Sequence, residues 1–469
     1  MACSRAVIPG LRPTDPTRVV LRLTGPAVLT SLLQTLAFLA DRIMLGRHGA
    51  VSLASMQISG TVMWSSFSVF FGAMIGTVAL VARRVGAGEL EQARVVARAA
   101  LRLAAALGLL VGVVGSLGAP VIATAMAPDE PAAAAIIDAA TGYMRVGFCG
   151  YPAVFLSAAG ALILNGSGDT KTTFYIGTAG NLFNIAANYL LIYGHRIGPI
   201  TIPELGATGA GLATAGAYLL QCVLVLLVLR RPSCPVHVSG LLRPTSDRAE
   251  LDARRRLIRL SAPAIVERVV IHVGYVWFAA VVNTLGAVAM AAHQALLTLE
   301  SICFLGAEGF GVAAATVVGQ YLGRRDPEGS TRGGWFAVIA CAAALTLCGA
   351  VIWATAPWSL PVFVAPGESG HALILAATLT IPILALAQPM MAAAVVLGHG
   401  LRGAGDTRSP VIAAAVGGLL LRVAGAWWLA VELGLGLPGI WIATAIDWTV
   451  RSVILGWVFW RGRWRSLEV

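Results

Sequence analysis

The chain has 469 residues, of which 58% are hydrophobic and only 12% charged. Soluble domains carry about a quarter charged residues, and a chain this long would need far more polar surface to stay in water. An ordinary cytosolic enzyme, a secreted disulfide scaffold and a disordered protein are excluded, and the mean hydropathy of +0.81 places the chain in a membrane.

The N-terminal stretch MACSRAVIPGLRPTDPTRVV has no apolar core of signal-peptide type and reads as a retained cytoplasmic tail. A span needs about 20 mostly apolar residues. Twelve such segments follow, centred near residues 34, 68, 107, 150, 183, 218, 270, 303, 345, 384, 420 and 449. The second and eighth are long, running from near Met56 to Val81 and from near Ala291 to Gly319. Basic residues gather in alternate loops: Arg5, Arg12, Arg18 and Arg22; Arg83, Arg84, Arg94 and Arg98; Lys171; Arg230 to Arg256; Arg324, Arg325 and Arg332; Arg402 and Arg408; and Arg461, Arg463 and Arg465. The other loops hold Arg47, Arg196 and the acids Asp129, Glu130, Glu204, Glu368 and Glu432. The positive-inside rule makes the first set and both termini cytoplasmic. The net charge of +11 is thus an orientation signal; a nucleic-acid partner would need one continuous basic surface. The seven cysteines include no CxxC pair, so neither a disulfide nor a metal site is expected.

The two halves repeat at an offset of 237 residues. Leu21-Arg22-Leu23-Thr24-Gly25-Pro26 matches Ile258-Arg259-Leu260-Ser261-Ala262-Pro263, Gly86 meets Gly323, and Gly168-Asp169-Thr170 meets Gly405-Asp406-Thr407. Six spans per copy give both copies the same orientation, an arrangement that places transport sites between lobes. The expected fold is therefore all-α and polytopic, with twelve transmembrane helices in two parallel six-helix lobes related by pseudo-two-fold symmetry. Its parts are a tail (1–18), an N-lobe (19–230), a cytoplasmic linker (231–256), a C-lobe (257–460) and a second tail (461–469).

Asp41-Arg42-Ile43-Met44-Leu45-Gly46, Pro263 to Arg268, Ala291-Ala292-His293-Gln294 with Gly309-Phe310-Gly311, and Arg402-Gly403-Ala404-Gly405-Asp406-Thr407 resemble, in order, motifs of the multidrug and toxic compound extrusion (MATE) transporters of the bacterial NorM/DinF type. The resemblance implies export of organic, often cationic, compounds driven by H⁺ or Na⁺, from a cell inner membrane.

Several intramembrane polar residues then become site candidates, because a charge inside a span is costly unless it faces a partner or a cavity. Asp41 lies about 28 Å along the first span from Arg22, Asn184 and Asn188 about 18 and 24 Å along the fifth from Thr172, and Thr214 about 10 Å along the sixth from Ala207. With the spans alternating in direction, these groups converge in depth, as a buried polar network requires. The family resemblance gives these positions to a proton- or sodium-responsive site. Asn188 stands where the DinF-like branch has Asp, leaving one carboxylate. Glu267, on the seventh span, is a second candidate by resemblance; it could pair locally with Arg268, though adjacent residues do not share a helix face. Glu300 is a third, with His293 two turns earlier. Glu308 reads as interfacial, and Asp447 with Arg451 (i, i+4) as a structural ion pair. Pro26 and Pro263 would each kink or start a helix, and the family suggests that Pro26 bends. The Gly-rich loops lack Walker spacing and read as helix stops and caps.

No ATPase motif is present, so an ion gradient must supply the energy; no HExxH or GxSxG motif suggests an enzyme. The function expected is a cation-coupled antiporter working by alternating access as a monomer, with no cofactor and no metal beyond a Na⁺ that Asp41 could hold. The alternative is a flippase for lipid-linked precursors of the same superfamily, which would carry a cluster of cavity arginines; Arg145 and Arg422 are too few and too scattered to form one.

Overall fold

Hydrocarbon offers the backbone no water, so each spanning segment must satisfy its own hydrogen bonds as a helix. The computed structural model of the protein is built that way, and describes residues 15–127, 131–197, 200–241, 248–363 and 368–467. Arg5, Arg12, Asp129, Glu130 and Arg243 lie outside the described residues, and so does the side chain of Glu368. Among the described residues, ten helical stretches are long and apolar enough to cross a bilayer, or eleven when one bent pair counts as a span.

The first span is α1 (Pro16–His48). The second runs through α2 (Ala50–Phe71), a 3₁₀ turn and α3 (Gly76–Ala87), and α4 (Leu90–Met126) is the third. The fourth is the bent pair α5 (Ala133–Cys149) and α6 (Tyr151–Ser167), which meet at 50°. The break falls at Gly150, just before Pro152, whose ring and missing N–H prevent α5 from continuing. The fifth, α7 (Thr170–Tyr193), is 24 residues long but less apolar than those ten. It carries four threonines with Asn181, Asn184 and Asn188. This span holds two of the candidate site residues, Asn184 and Asn188.

A hairpin, His195–Ile197 paired antiparallel with Ile200–Ile202, precedes α8 (Gly206–Arg230). Then follow α9 (Arg248–Asn283), α10 (Ala287–Gly323), α11 (Pro327–Ser359) and α12 (Glu368–Ala404). The eleventh span, Arg408–Glu432, is irregular: α13 (Arg408–Ala413) and α14 (Arg422–Ala426) alternate with π-helical turns at Ala414–Leu421 and Trp427–Glu432. The last is α15 (Gly436–Arg461). Pro26 and Pro263 fall inside α1 and α9, so neither starts its helix. The Gly-Asp-Thr loops are caps in both repeats. Gly168 and Gly405 take φ of +92° and +97°, and Asp169 and Asp406 accept from the backbone N–H of Thr172 and Ser409 at 3.0 Å.

The chain packs into two compact units. One contains the residues up to Ser31, Val78–Gly88 and everything from Leu260; the other contains Leu32–Thr77 and Glu89–Arg259. Within the first unit, α3 crosses the end of α10 through a reciprocal glycine contact. A methyl on Gly86 would overlap the backbone carbonyl of Gln320, and one on Gly323 would overlap that of Arg83. Residues 83 and 86 map onto 320 and 323 at the repeat offset, so the contact is self-complementary. Within the second unit, the linker is strapped to the start of α4. Arg102 reaches Glu250 at 2.5 Å and the carbonyls of Leu241 and Gly240 at 3.1 and 3.2 Å, while Arg94 reaches that of Pro235 at 3.2 Å. The last turns of the linker are already helical, since α9 begins at Arg248.

Overpacking a backbone contact costs about 1–3 kcal/mol or more. Gly86→Val should therefore lower the melting temperature in detergent by several degrees, whereas Gly25→Ala, whose added methyl meets nothing within 4 Å, should not. Burial in the linker pushes the Cys234 thiol above its ordinary value. At pH 7–8 less thiolate is present than for a free cysteine, and maleimide labelling of Cys234 should accelerate only at higher pH. Arg102→Ala, which loosens the strap, should speed it at pH 7.

Candidate functional site

Two glycines let α7 and α8 approach closely. A methyl on Gly180 would overlap Gln221, and one on Gly209 would overlap the carbonyl of Leu191. This approach puts Asn184 Nδ2 3.3 Å from Thr214 Oγ1. One turn on, Asn188 Nδ2 donates to Asn184 Oδ1 at 3.2 Å and to Asp41 Oδ1. The α1 segment that carries Asp41 is seated by Leu45, packed with Ile192, Ala207, Ala210 and Tyr143, and by the Tyr193 hydroxyl donating to the Met44 carbonyl at 2.8 Å.

The structure thus joins Asp41, Asn188, Asn184 and Thr214, from three helices, into one chain of hydrogen bonds. Asp41 is 5% exposed and Asn188 fully buried. Asn188 Oδ1 is buried with no hydrogen-bond partner among the described residues, leaving an acceptor beside the carboxylate. Two groups that the sequence did not single out, Tyr143 and Tyr218, lie within electrostatic reach of Asp41. A cavity of about 580 Å³ adjoins this part of α1, lined by Ile43, Met44, Arg47, Tyr189, Tyr193 and His195 among others. One carboxylate among neutral amide and hydroxyl oxygens is a set that a proton or a hard cation can occupy.

Glu267 and Asp447 of the second repeat have arginine partners instead. Glu267 pairs with Arg402, not with its neighbour Arg268, which points elsewhere on the helix. Its Oε2 is buried without a hydrogen-bond partner among the described residues, and it lines a cavity of about 70 Å³ with Arg268, Glu308, His399, Arg402 and Arg451. Glu308 places its Oε2 3.1 Å from His399 Nε2. Arg402, assigned to a loop by its sequence context, is inside α12 with a side chain only 11% exposed. Asp447 does pair with Arg451, at 2.5 and 3.0 Å, and also with Arg422 at 2.9 Å. The π turn makes room for this pair, since a methyl on Gly417 or Gly418 would overlap Asp447 or Arg451. Arg422 also lies over the rings of Tyr275, Phe278 and Trp448 at 5.9, 5.6 and 5.3 Å. Glu300 is buried within electrostatic reach of Arg422 and Asp447, and its Oε1 has no hydrogen-bond partner among the described residues. His293 packs between Phe278 and Trp441. Glu267 and Glu300 belong to the other packing unit from Asp41.

The MatE family model matches residues 26–190 and 263–428, two blocks that begin 237 residues apart. The chain belongs to this family. It is 30% identical over 456 residues to a protein named probable multidrug resistance protein NorM from Bradyrhizobium diazoefficiens, covering 93% of this chain and 91% of the relative. A protein of the same name from Thermotoga maritima is 26% identical over 454 residues, covering 96% and 93%. Among solved structures, a MATE protein in complex with MaL6 superposes with a TM-score of 0.86 at 22% identity, over 96% of each chain. So does a MOP-superfamily transporter from Pyrococcus furiosus, described as having a binding pocket of reversed polarity, with a TM-score of 0.86 at 22% identity over 97% and 98%. As a MATE protein this chain is a multi-pass membrane transporter and not an enzyme.

The ion pairs of this MATE protein predict an asymmetric mutational response. Arg402→Ala leaves Glu267 buried and uncompensated, a cost of about 3–5 kcal/mol. Pairing Glu267→Gln with Arg402→Gln should recover most of the lost thermal stability. Asn188→Ala removes only a neutral donor and should cost about 1–3 kcal/mol.

Proposed function

We propose that this protein is a cation-coupled antiporter that exports organic, often cationic, drugs and toxic compounds by alternating access. In this reading it sits in the cell inner membrane with both termini cytoplasmic, and the repeats 19–230 and 257–460 act as its lobes. The observation that carries the proposal is the buried Asp41 hydrogen-bonded through Asn188 and Asn184 to Thr214. The NorM relatives, named for multidrug resistance, support the export of drugs.

The network has two arrangements. An ionised Asp41 accepts from Asn188 Nδ2. A protonated Asp41 is a donor, and the unpartnered Asn188 Oδ1 is the acceptor beside it once the amide turns over. Turning the amide takes the donor from Asn184 Oδ1, so occupancy at Asp41 is passed to Thr214 on α8. Na⁺ would draw on the same oxygens. A cation drives transport only by binding the two access states unequally, and repacking α1, α7 and α8 around one carboxylate is a means to that difference. Pro26 serves the same end, since it removes a donor from α1 five residues before Ser31, where α1 passes from one packing unit to the other. Glu267 and Glu300 are assigned as the responsive carboxylates of the second repeat, Glu267 only when Arg402 releases it. The flippase alternative gains nothing from Arg422, which Asp447 already holds.

Asp41→Asn should reach the membrane at wild-type level yet abolish drug resistance in an efflux-deficient strain; full resistance would overturn the role of Asp41. In proteoliposomes with H⁺ and Na⁺ gradients imposed separately, one gradient should drive drug uptake into inside-out vesicles. Asp41→Asn should lower that flux at least ten-fold.

A further inference from the structure

Cys303 on α10 and Cys348 on the following helix, α11, bring their sulfur atoms to 3.1 Å. Both thiols are free. Their contact spans 45 residues of sequence and joins two consecutive helices of the first packing unit. Cys303 is 2% exposed and Cys348 half-buried, so one thiol is sealed in the core and the other is reachable from outside it. Packing alone does not require sulfur at both positions, since alanine or serine would fill them without the sulfur–sulfur contact.

We propose that Cys303 and Cys348 are a dithiol that closes reversibly to a disulfide. A disulfide bond is about 2.05 Å long, so the sulfurs need approach by only about 1 Å, within the reach of two χ1 adjustments. The pair lies deep in the helices, with Cys303 about 24 Å along α10 from Ala287. The acceptor for the step is a lipid-soluble quinone, which partitions into the bilayer around these helices. The two S–H bonds break and one S–S bond forms. Both hydrogens and two electrons pass to the quinone, which leaves as the quinol. Cys341 is seven residues before Cys348 on α11 and also buried, yet the contact at bonding range is made by Cys348. Glu300 lies one turn before Cys303, so closure would fix that turn of α10 against α11.

The test uses the wild-type protein in liposomes, treated with a short-chain ubiquinone analogue, then denatured, alkylated with N-ethylmaleimide and mapped by mass spectrometry. Of seven cysteines, five should be alkylated. The remaining two should appear as one linked peptide pair joining Cys303 to Cys348, two hydrogens lighter, and dithiothreitol should restore full alkylation. In Cys303→Ser the linked pair should vanish and Cys348 become alkylated. Complete alkylation of both wild-type thiols after oxidation, or a linkage made through Cys341 instead, would overturn the proposal. The wild-type peptide map distinguishes these outcomes even if the variant folds poorly.

Discussion

An ionised carboxylate inside a hydrocarbon layer must be given partners, because the solvation it loses is worth several kcal/mol. The protein meets that constraint in different ways, and the differences separate its acids by what they can still do. Asp447 is held by two arginines and Glu267 by one, so their charge is already cancelled in this arrangement. The hydrogen-bond partner of Asp41 is a neutral amide. An amide satisfies the geometry of the carboxylate and leaves its charge uncancelled, and that is the condition under which a mobile cation has something to bind.

Both solutions depend on how closely the helices approach. Amide and hydroxyl side chains are short, so Asn184 meets Thr214 only because Gly180 and Gly209 bring α7 against α8. The guanidinium of Arg451 fits against the eleventh span only because a π turn presents Gly417 and Gly418 to it. The abundant glycine of this chain is therefore more than a general packing device. At these positions it sets which polar groups can meet.

The repeat supplied a common frame and the polar residues then diverged on it. At the 237-residue offset Asp41 corresponds to Phe278, Asn188 to Gly425, and Glu267 to Thr30. Helix lengths, the Gly-Asp-Thr caps and the Gly86–Gly323 contact are preserved in both copies, because backbone packing constrains them. The site of the first copy has been replaced in the second by rings that pack on Arg422 and His293. A transporter with two equal lobes and one amide-held carboxylate is the outcome.

Hydropathy, loop charge and the repeat determined on their own that this is a twelve-span membrane protein, since those signals come from transfer energies that act on each residue separately. The convergence of Asp41, Asn184, Asn188 and Thr214 was legible as well, because depth along a straight helix is simply residues multiplied by rise. Which partner each acid takes was not legible. Arg402 looked like a loop charge, because sequence distance says nothing about which helix faces meet across a bundle. Glu308 found His399, Asp447 gained Arg422, and the thiols of Cys303 and Cys348 met for the same reason. Pairing between helices is fixed by rotation and crossing, and these exist only once the helices are packed.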